Sequence, residues 1–351
     1  MKTNLLKKSV PLLALSSLIS YQVQADESLS VVGSWSGLPL HKQFEQPFWT
    51  NTISNSSDFD VSLTTHDQMG IGTGDVFRML GDGVFDIAMT VGDYAVADAP
   101  ELEGLDVPLM ATTPAQAQKA VEAARPMVEE IYADTFNAKV LAIVPYPPQV
   151  VFCKPEITSL SDLENLKVRA SGRMTAKLLD ALGAQSVNIS FGEVPGALQR
   201  GVIDCAVTGA GSGYSAGWWE VTETLMTLPL GGWDPVVTAI NLDKWEDLSQ
   251  KDQEFLQTQV TEKFEKPVWA SAQAELDQDV ACLTGNASCA RGPSRNMTLV
   301  EPSSSDIFTA KRILIEKVLP EWADRAGSKW VKQWNASVGK IVNLEISGTG
   351  K

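Results

Sequence analysis

Apolar positions along the chain switch repeatedly between a period of two and one near three and a half, the pattern of strands interleaved with helices. Segment 29–34 reads as a first strand, and Phe44 and Phe48, four residues apart, give the next segment a helical face. Segment 59–64 alternates as a second strand, 75–80 predicts a short helix, and 85–90 a third strand. A helix over 114–136 then leads to a buried strand at 140–144, which runs into Pro145-Tyr146-Pro147-Pro148. Such a proline cluster stiffens a crossing point, so a first hinge is expected there.

A second series follows, with strands at 166–170, 186–190 and 202–207 and helices on the Met174, Leu178, Leu182 face and over 192–200. Segment 236–240 is one more strand, where the chain returns. A long helical stretch over 245–283 should kink or reset at Pro267, and the helical tail 304–341 should break at Pro320. The expected fold is therefore α/β: two lobes, each a mainly parallel sheet flanked by helices, hinged with multiple crossings. Lobe I is expected at 26–146 plus 236–278 and lobe II at 147–235 plus 279–351. Open parallel sheets place ligand sites in loops beyond the carboxyl ends of their strands.

Composition narrows the partners. With 28 Lys+Arg against 43 Asp+Glu in 351 residues, the net charge is −15 and no basic stripe offsets it. Nucleic acid, whose binding needs clustered Lys/Arg, is not an expected partner. Residues 1–25 read as a secretory signal peptide: a basic start at Lys2, Lys7 and Lys8, a short apolar run over 10–19, and Val23-Gln24-Ala25 before the cleavage site. No later run of 18 or more apolar residues follows, so the mature protein is expected to be exported and not membrane-embedded.

Export to an oxidising compartment favours disulfides. Cys282 and Cys289 flank a short polar loop and read as a local staple. Cys153 and Cys205, each beside a β-rich stretch, are either bridged by neighbouring strands or two buried reduced thiols. No Cys-x-x-Cys pair exists, and the two histidines, His41 and His66, have no metal-ligand spacing to a cysteine, so no metal site is expected. The glycine-rich segments 70–74 and 209–213 lack a complete nucleotide fingerprint, so no cofactor is expected either.

Four blocks carry a more specific signal: Asp162-Leu163-Glu164-Asn165-Leu166-Lys167-Val168-Arg169, Leu179-Asp180-Ala181-Leu182-Gly183-Ala184, Ile189-Ser190-Phe191-Gly192-Glu193-Val194, and Ala197-Leu198-Gln199-Arg200-Gly201-Val202-Ile203-Asp204. In order and spacing they resemble the core signature of the solute-binding subunits of tripartite ATP-independent periplasmic (TRAP) transporters. The resemblance implies a periplasmic protein that closes two lobes over a small, usually carboxylated solute and delivers it to a membrane permease driven by an ion gradient. It implies Arg169 as the clamp on the ligand's carboxylate, which suits the planar fork of a guanidinium. Gln149 falls where sialic-acid-binding members carry a second arginine, and Thr208 where many members carry an asparagine; both are expected as hydrogen-bond partners. Phe191 matches an aromatic that packs on the ligand in some members.

Trp35, Trp218 and Trp233 lie in three separate loops near strand ends and are expected to bring indoles towards the cleft, while Gly92 and Asp93 occupy another strand-end loop. The competing reading is a periplasmic hydrolase or lyase using paired carboxylates. It needs two facing acids, and its candidates Asp93 and Asp204 have no evident partner in the sequence. A sensory subunit that passes its closed form to a receptor shares the binding chemistry.

Overall fold

The computed structural model describes residues 27–56 and 59–347; the expected signal peptide lies outside the described residues. The strands are β1 (Glu27–Gly33), β2 (Phe59–Thr65), β3 (Ile87–Val91), β4 (Ala138–Val144), β5 (Gln149–Cys153), β6 (Lys167–Arg169), β7 (Gln185–Val187), β8 (Cys205–Gly209), β9 (Thr224–Met226), β10 (Val236–Asn241) and β11 (Thr298–Val300). Among the described residues they form two sheets, ordered β2-β1-β3-β10-β4 and β11-β9-β5-β8-β6-β7. The principal helices are α1 (Val76–Gly81), α2 (Pro114–Phe136), α3 (Arg173–Ala181), α4 (Val194–Arg200), α5 (Gln250–Gln259), α6 (Lys266–Thr284), α7 (Ser304–Ile313), α8 (Leu319–Ala326) and α9 (Ser328–Ala336).

Each sheet is parallel except for one strand, β10 in the first and β5 in the second. Both exceptions have one cause. The parallel strands end on the side where the sheets face each other, so a chain that crosses from one sheet to the other starts its next strand at that side and runs opposite to its neighbours. β4 crosses into β5 through 145–148, and β9 crosses back into β10 through 227–235. The crossings lie side by side, with Gln149 N–H donating to Gly232 O at 3.1 Å and Gly231 N–H to Gln149 O at 3.4 Å.

Both expected proline breaks are resets rather than stops. Wide π-type turns, Val260–Glu265 and Leu314–Val318, precede Pro267 and Pro320, and each proline then sits in the first turn of the next helix, where its missing N–H leaves no helical bond unmade. β9 and β11, three residues each, are too short to show a period in the sequence.

The tail departs from the expectation that 279–351 belongs entirely with the second lobe. α7 packs on α3 of the second lobe, whereas α8 and α9 pack on 100–105 and α2 of the first. The indole of Trp322 donates to Pro100 O (3.1 Å) and that of Trp334 to Gly104 O (2.8 Å). Both rings are fully buried, and rings of that size hold the tail where their N–H groups find partners.

Both cysteine pairs are bridged, Cys153 to Cys205 and Cys282 to Cys289. Cys153 and Cys205 are direct cross-strand partners of β5 and β8, at the end of that pair remote from the other lobe. Opening each bridge by paired Cys→Ser substitution should lower the denaturant midpoint. On loop entropy, with sequence separations of 52 and 7 residues, the Cys153–Cys205 bridge should be worth about 4 kcal/mol and the Cys282–Cys289 bridge about 2.5 kcal/mol; a larger loss at Cys282–Cys289 would contradict that account.

Candidate ligand-binding site

Between the lobes lies a cleft of about 1000 Å³. Its walls are loops that follow the carboxyl ends of parallel strands: Trp35 after β1, His66 after β2, Asp93 and Tyr94 after β3, Arg169 to Arg173 at the end of β6, and 188–192 after β7. This is the placement that open parallel sheets impose.

Arg169 is only 3% exposed. Its Nε donates to Ile189 O at 3.1 Å and its Nη1 to Val207 O at 2.8 Å. Two of the five guanidinium donors thus fix the side chain to its own lobe, and the rest of the fork lies on the cleft wall with Tyr94. A guanidinium held this way pays little ordering entropy when it pairs with a carboxylate or similar oxyanion.

Asp93 is likewise 3% exposed and lines the cleft, and its Oδ1 has no hydrogen-bond partner. A side chain at Gly172, the residue that opens α3, would overlap the Asp93 carboxylate, so only glycine permits this approach of the two lobes. Burial, with Asp106, Asp234 and Glu103 nearby, pushes the Asp93 carboxyl well above the usual range, and Arg169 opposes the shift. His66 is buried with its Nε2 unpartnered, and burial lowers its pKa, which keeps it neutral at pH 7.

The apolar wall is an aromatic cluster. The Trp35 ring meets His66, Tyr94 and Phe191 edge-on at centroid distances of 4.7, 5.9 and 6.1 Å. Because Trp35 follows β1 and Phe191 follows β7, that last contact spans the cleft.

Of the residues expected at the site, Trp35, Asp93, Arg169 and Phe191 line the cleft. The others stand behind it. Gln149 is fully buried in the hinge, its amide donating to Asp234 Oδ1 at 2.6 Å and Asp106 Oδ2 at 3.4 Å. Thr208 is buried within β8, next to the Val207 carbonyl that holds Arg169. Gly92 supports the loop, its N–H donating to Pro235 O at 2.9 Å. Trp218 is fully buried and stacks on Phe191 at 5.4 Å, so it backs the aromatic wall from inside its lobe. Trp233 is buried in the second crossing, its indole donating to Ala111 O at 2.9 Å. Asp204, the other acid of the hydrolase reading, accepts from the backbone N–H of Lys167 at 2.9 Å, at the opposite end of β6 from Arg169.

Tyr94, His66 and Arg173 were not singled out from sequence. Tyr94 adjoins Asp93, and His66 begins the loop after a predicted strand, so the strand-end rule applied more widely finds both. Arg173 shows no such signal: it bridges the lobes, with Nη2 to Glu321 at 2.8 Å and Nε to Glu103 at 3.6 Å, while Arg325 also pairs with Glu103.

Two lobes joined by paired crossings over a cleft with one anchored guanidinium define a hinged solute-binding protein. The chain belongs to the bacterial extracellular solute-binding protein family 7 (DctP), whose model matches residues 38–282. It is 24% identical over 299 residues to the ectoine/5-hydroxyectoine-binding periplasmic protein UehA of Ruegeria pomeroyi, covering 83% of this chain and 85% of that one. It is 25% identical over 307 residues to the ectoine-binding periplasmic protein TeaA of Halomonas elongata, covering 84% and 85%. Among solved structures, a Bordetella pertussis extracytoplasmic solute receptor binding pyroglutamic acid shares the fold, with a TM-score of 0.79 at 18% identity over 89% of this chain and 99% of that one. Among the described residues no helix is long and apolar enough to cross a membrane.

The hinge carboxyls make a testable demand on stability. Burial raises Asp106 to about 6, although the N–H groups of Asp234, Gly232 and Trp233 pull it down. An acid raised in the folded state stabilises most at low pH, and that contribution fades as pH climbs from the ordinary Asp value of about 4 through about 6. Asp106→Asn should therefore flatten the fall in denaturation midpoint over this window; an unchanged slope would remove Asp106 as its source.

Proposed function

We propose that the protein closes its lobes over a small organic carboxylate in the periplasm and delivers it to a TRAP-type membrane permease for uptake driven by an ion gradient. Arg169 carries this reading: a buried guanidinium, positioned by two backbone carbonyls, with the rest of its fork on a cleft flanked by aromatic rings. The names of the similar proteins support it, since ectoine and pyroglutamic acid both bear a carboxylate group.

Export through cleavage after Ala25 belongs to this proposal, as do binding without turnover and a hinge at 145–148 and 227–235 between lobes at 26–146 plus 236–278 and 319–347, and at 147–235 plus 279–318. Ligand binding shifts an open–closed equilibrium by bridging Arg169 to the wall opposite, and the closed form is the one the permease recognises. Among the roles expected from sequence, Arg169 is the anion clamp and Trp35 and Phe191 are walls. Gln149, Thr208, Gly92, Trp218 and Trp233 act indirectly, by holding the hinge and the clamp.

The test is calorimetric titration with small carboxylates. Arg169→Ala should weaken binding at least 100-fold, the loss of about 3 kcal/mol associated with a charge-assisted pair, and Arg169→Lys should recover only part of it because an ammonium lacks the fork. Affinity unchanged in both variants would remove Arg169 from the site and the carboxylate from the reading.

A further inference from the structure

Arg169 is not the only charged group on the cleft wall. Asp93 faces the same space, buried, with one carboxylate oxygen unpartnered. Among the described residues no Lys, Arg or His nitrogen lies within ion-pair distance of it. Its charged neighbours make this worse: Asp106, Asp234 and Glu103 all repel it, and Arg169 is the cation that opposes them. Asp106 and Asp234 are occupied in the hinge by backbone N–H groups and the Gln149 amide, and Glu103 by Arg325 and Arg173. Asp93 has no such partner.

We propose that Asp93 is a specificity-determining residue that receives a cationic nitrogen of the ligand, so that the preferred solute is a small zwitterion, an amino or amidinium carboxylate, rather than a plain organic anion. The inference rests on the reading of Arg169 as a carboxylate clamp. With a bare anion on Arg169, an ionised Asp93 would be a second negative charge in a closed, poorly solvated space, so Asp93 keeps the proton that burial favours and contributes no ion pair. A zwitterion brings no net charge, pairs its carboxylate with Arg169 and supplies the counterion that Asp93 lacks, which offsets the desolvation of both. The rings of Trp35, Tyr94 and Phe191 line the same space, and their faces favour a cation over a second anion. Neutral His66, also on this wall, adds no positive charge that would favour an anion, and Arg173, the other cation lining the cleft, is paired with Glu321 and Glu103.

The experiment is a thermal-shift and calorimetric panel of matched carboxylates on the full-length mature protein at pH 7.5. The panel pairs L-proline with L-pyroglutamate and L-pipecolate with its lactam, adds ectoine as a further zwitterion, and is repeated with Asp93→Asn and Arg169→Ala. In wild type the zwitterion should bind at least tenfold tighter than its lactam. Asp93→Asn should keep a cooperative melt, weaken the zwitterion at least tenfold, and leave the lactam anion unchanged or tighter. A wild-type preference for the lactam anions, or an equal loss of both classes in Asp93→Asn, overturns the inference. If those anions still lose binding in Arg169→Ala, the carboxylate reading survives it. Ligands indifferent to Arg169→Ala, or no binding by any member of the panel, overturn the reading and the inference together.

Discussion

The architecture depends on how two crossing strands are held against each other at the hinge. The carboxylate of Asp106 accepts the backbone N–H of Asp234 at 2.7 Å and also those of Gly232 and Trp233, while the Gln149 amide from the other crossing donates to Asp234. The backbone must turn sharply to present three donors to one carboxylate. Asp234 therefore adopts φ of 39°, and Gly232 has no room for a side chain against Asp106. These bonds are buried, so their loss leaves unpaired groups that water does not reach. The crossings set the direction of β5 and β10, and through them the side of each sheet on which the parallel strands end.

The same constraint governs the electrostatics of the cleft. A chain of net charge −15 gains no long-range attraction for an anionic solute, so recognition has to be local. Packing buries one guanidinium on the second lobe and ties it to that lobe's backbone. The hinge carboxyls reach the cleft through Asp93, which carries their repulsion to the cleft wall. Arg173, Glu321, Glu103 and Arg325 form a second link between the lobes at the rim. Both links are polar, and the Trp35–Phe191 ring contact adds an apolar one across the cleft.

Much of the fold was legible in the sequence because its elements are local. The switch of period between two and three and a half marks β1 to β4, β10, α2 and α3, since one face of each is buried and its neighbours along the chain are too. The proline cluster at 145–148 marks the first crossing because a restricted backbone is itself a local property. The spacing of the four blocks between Asp162 and Asp204 carried the family, and Arg169 within it, because a strand end followed by a helix places one side chain at a definite edge.

The residue pattern alone thus reaches the two α/β lobes, the first crossing, both cysteine pairs as candidates for bridging, and Trp35, Asp93, Arg169 and Phe191 at strand ends. It took the folded chain to show that Gln149 is a hinge residue, that Trp218 and Trp233 face inward, that the tail divides between lobes, and that Asp93 approaches Gly172 across the cleft. The physical reason is that a period or a strand end says which side of its own element a residue occupies. Whether that side meets solvent, a ligand or another element depends on contacts between residues far apart in the chain, such as Gln149 with Asp234 and Trp334 with Gly104, and no local pattern encodes those.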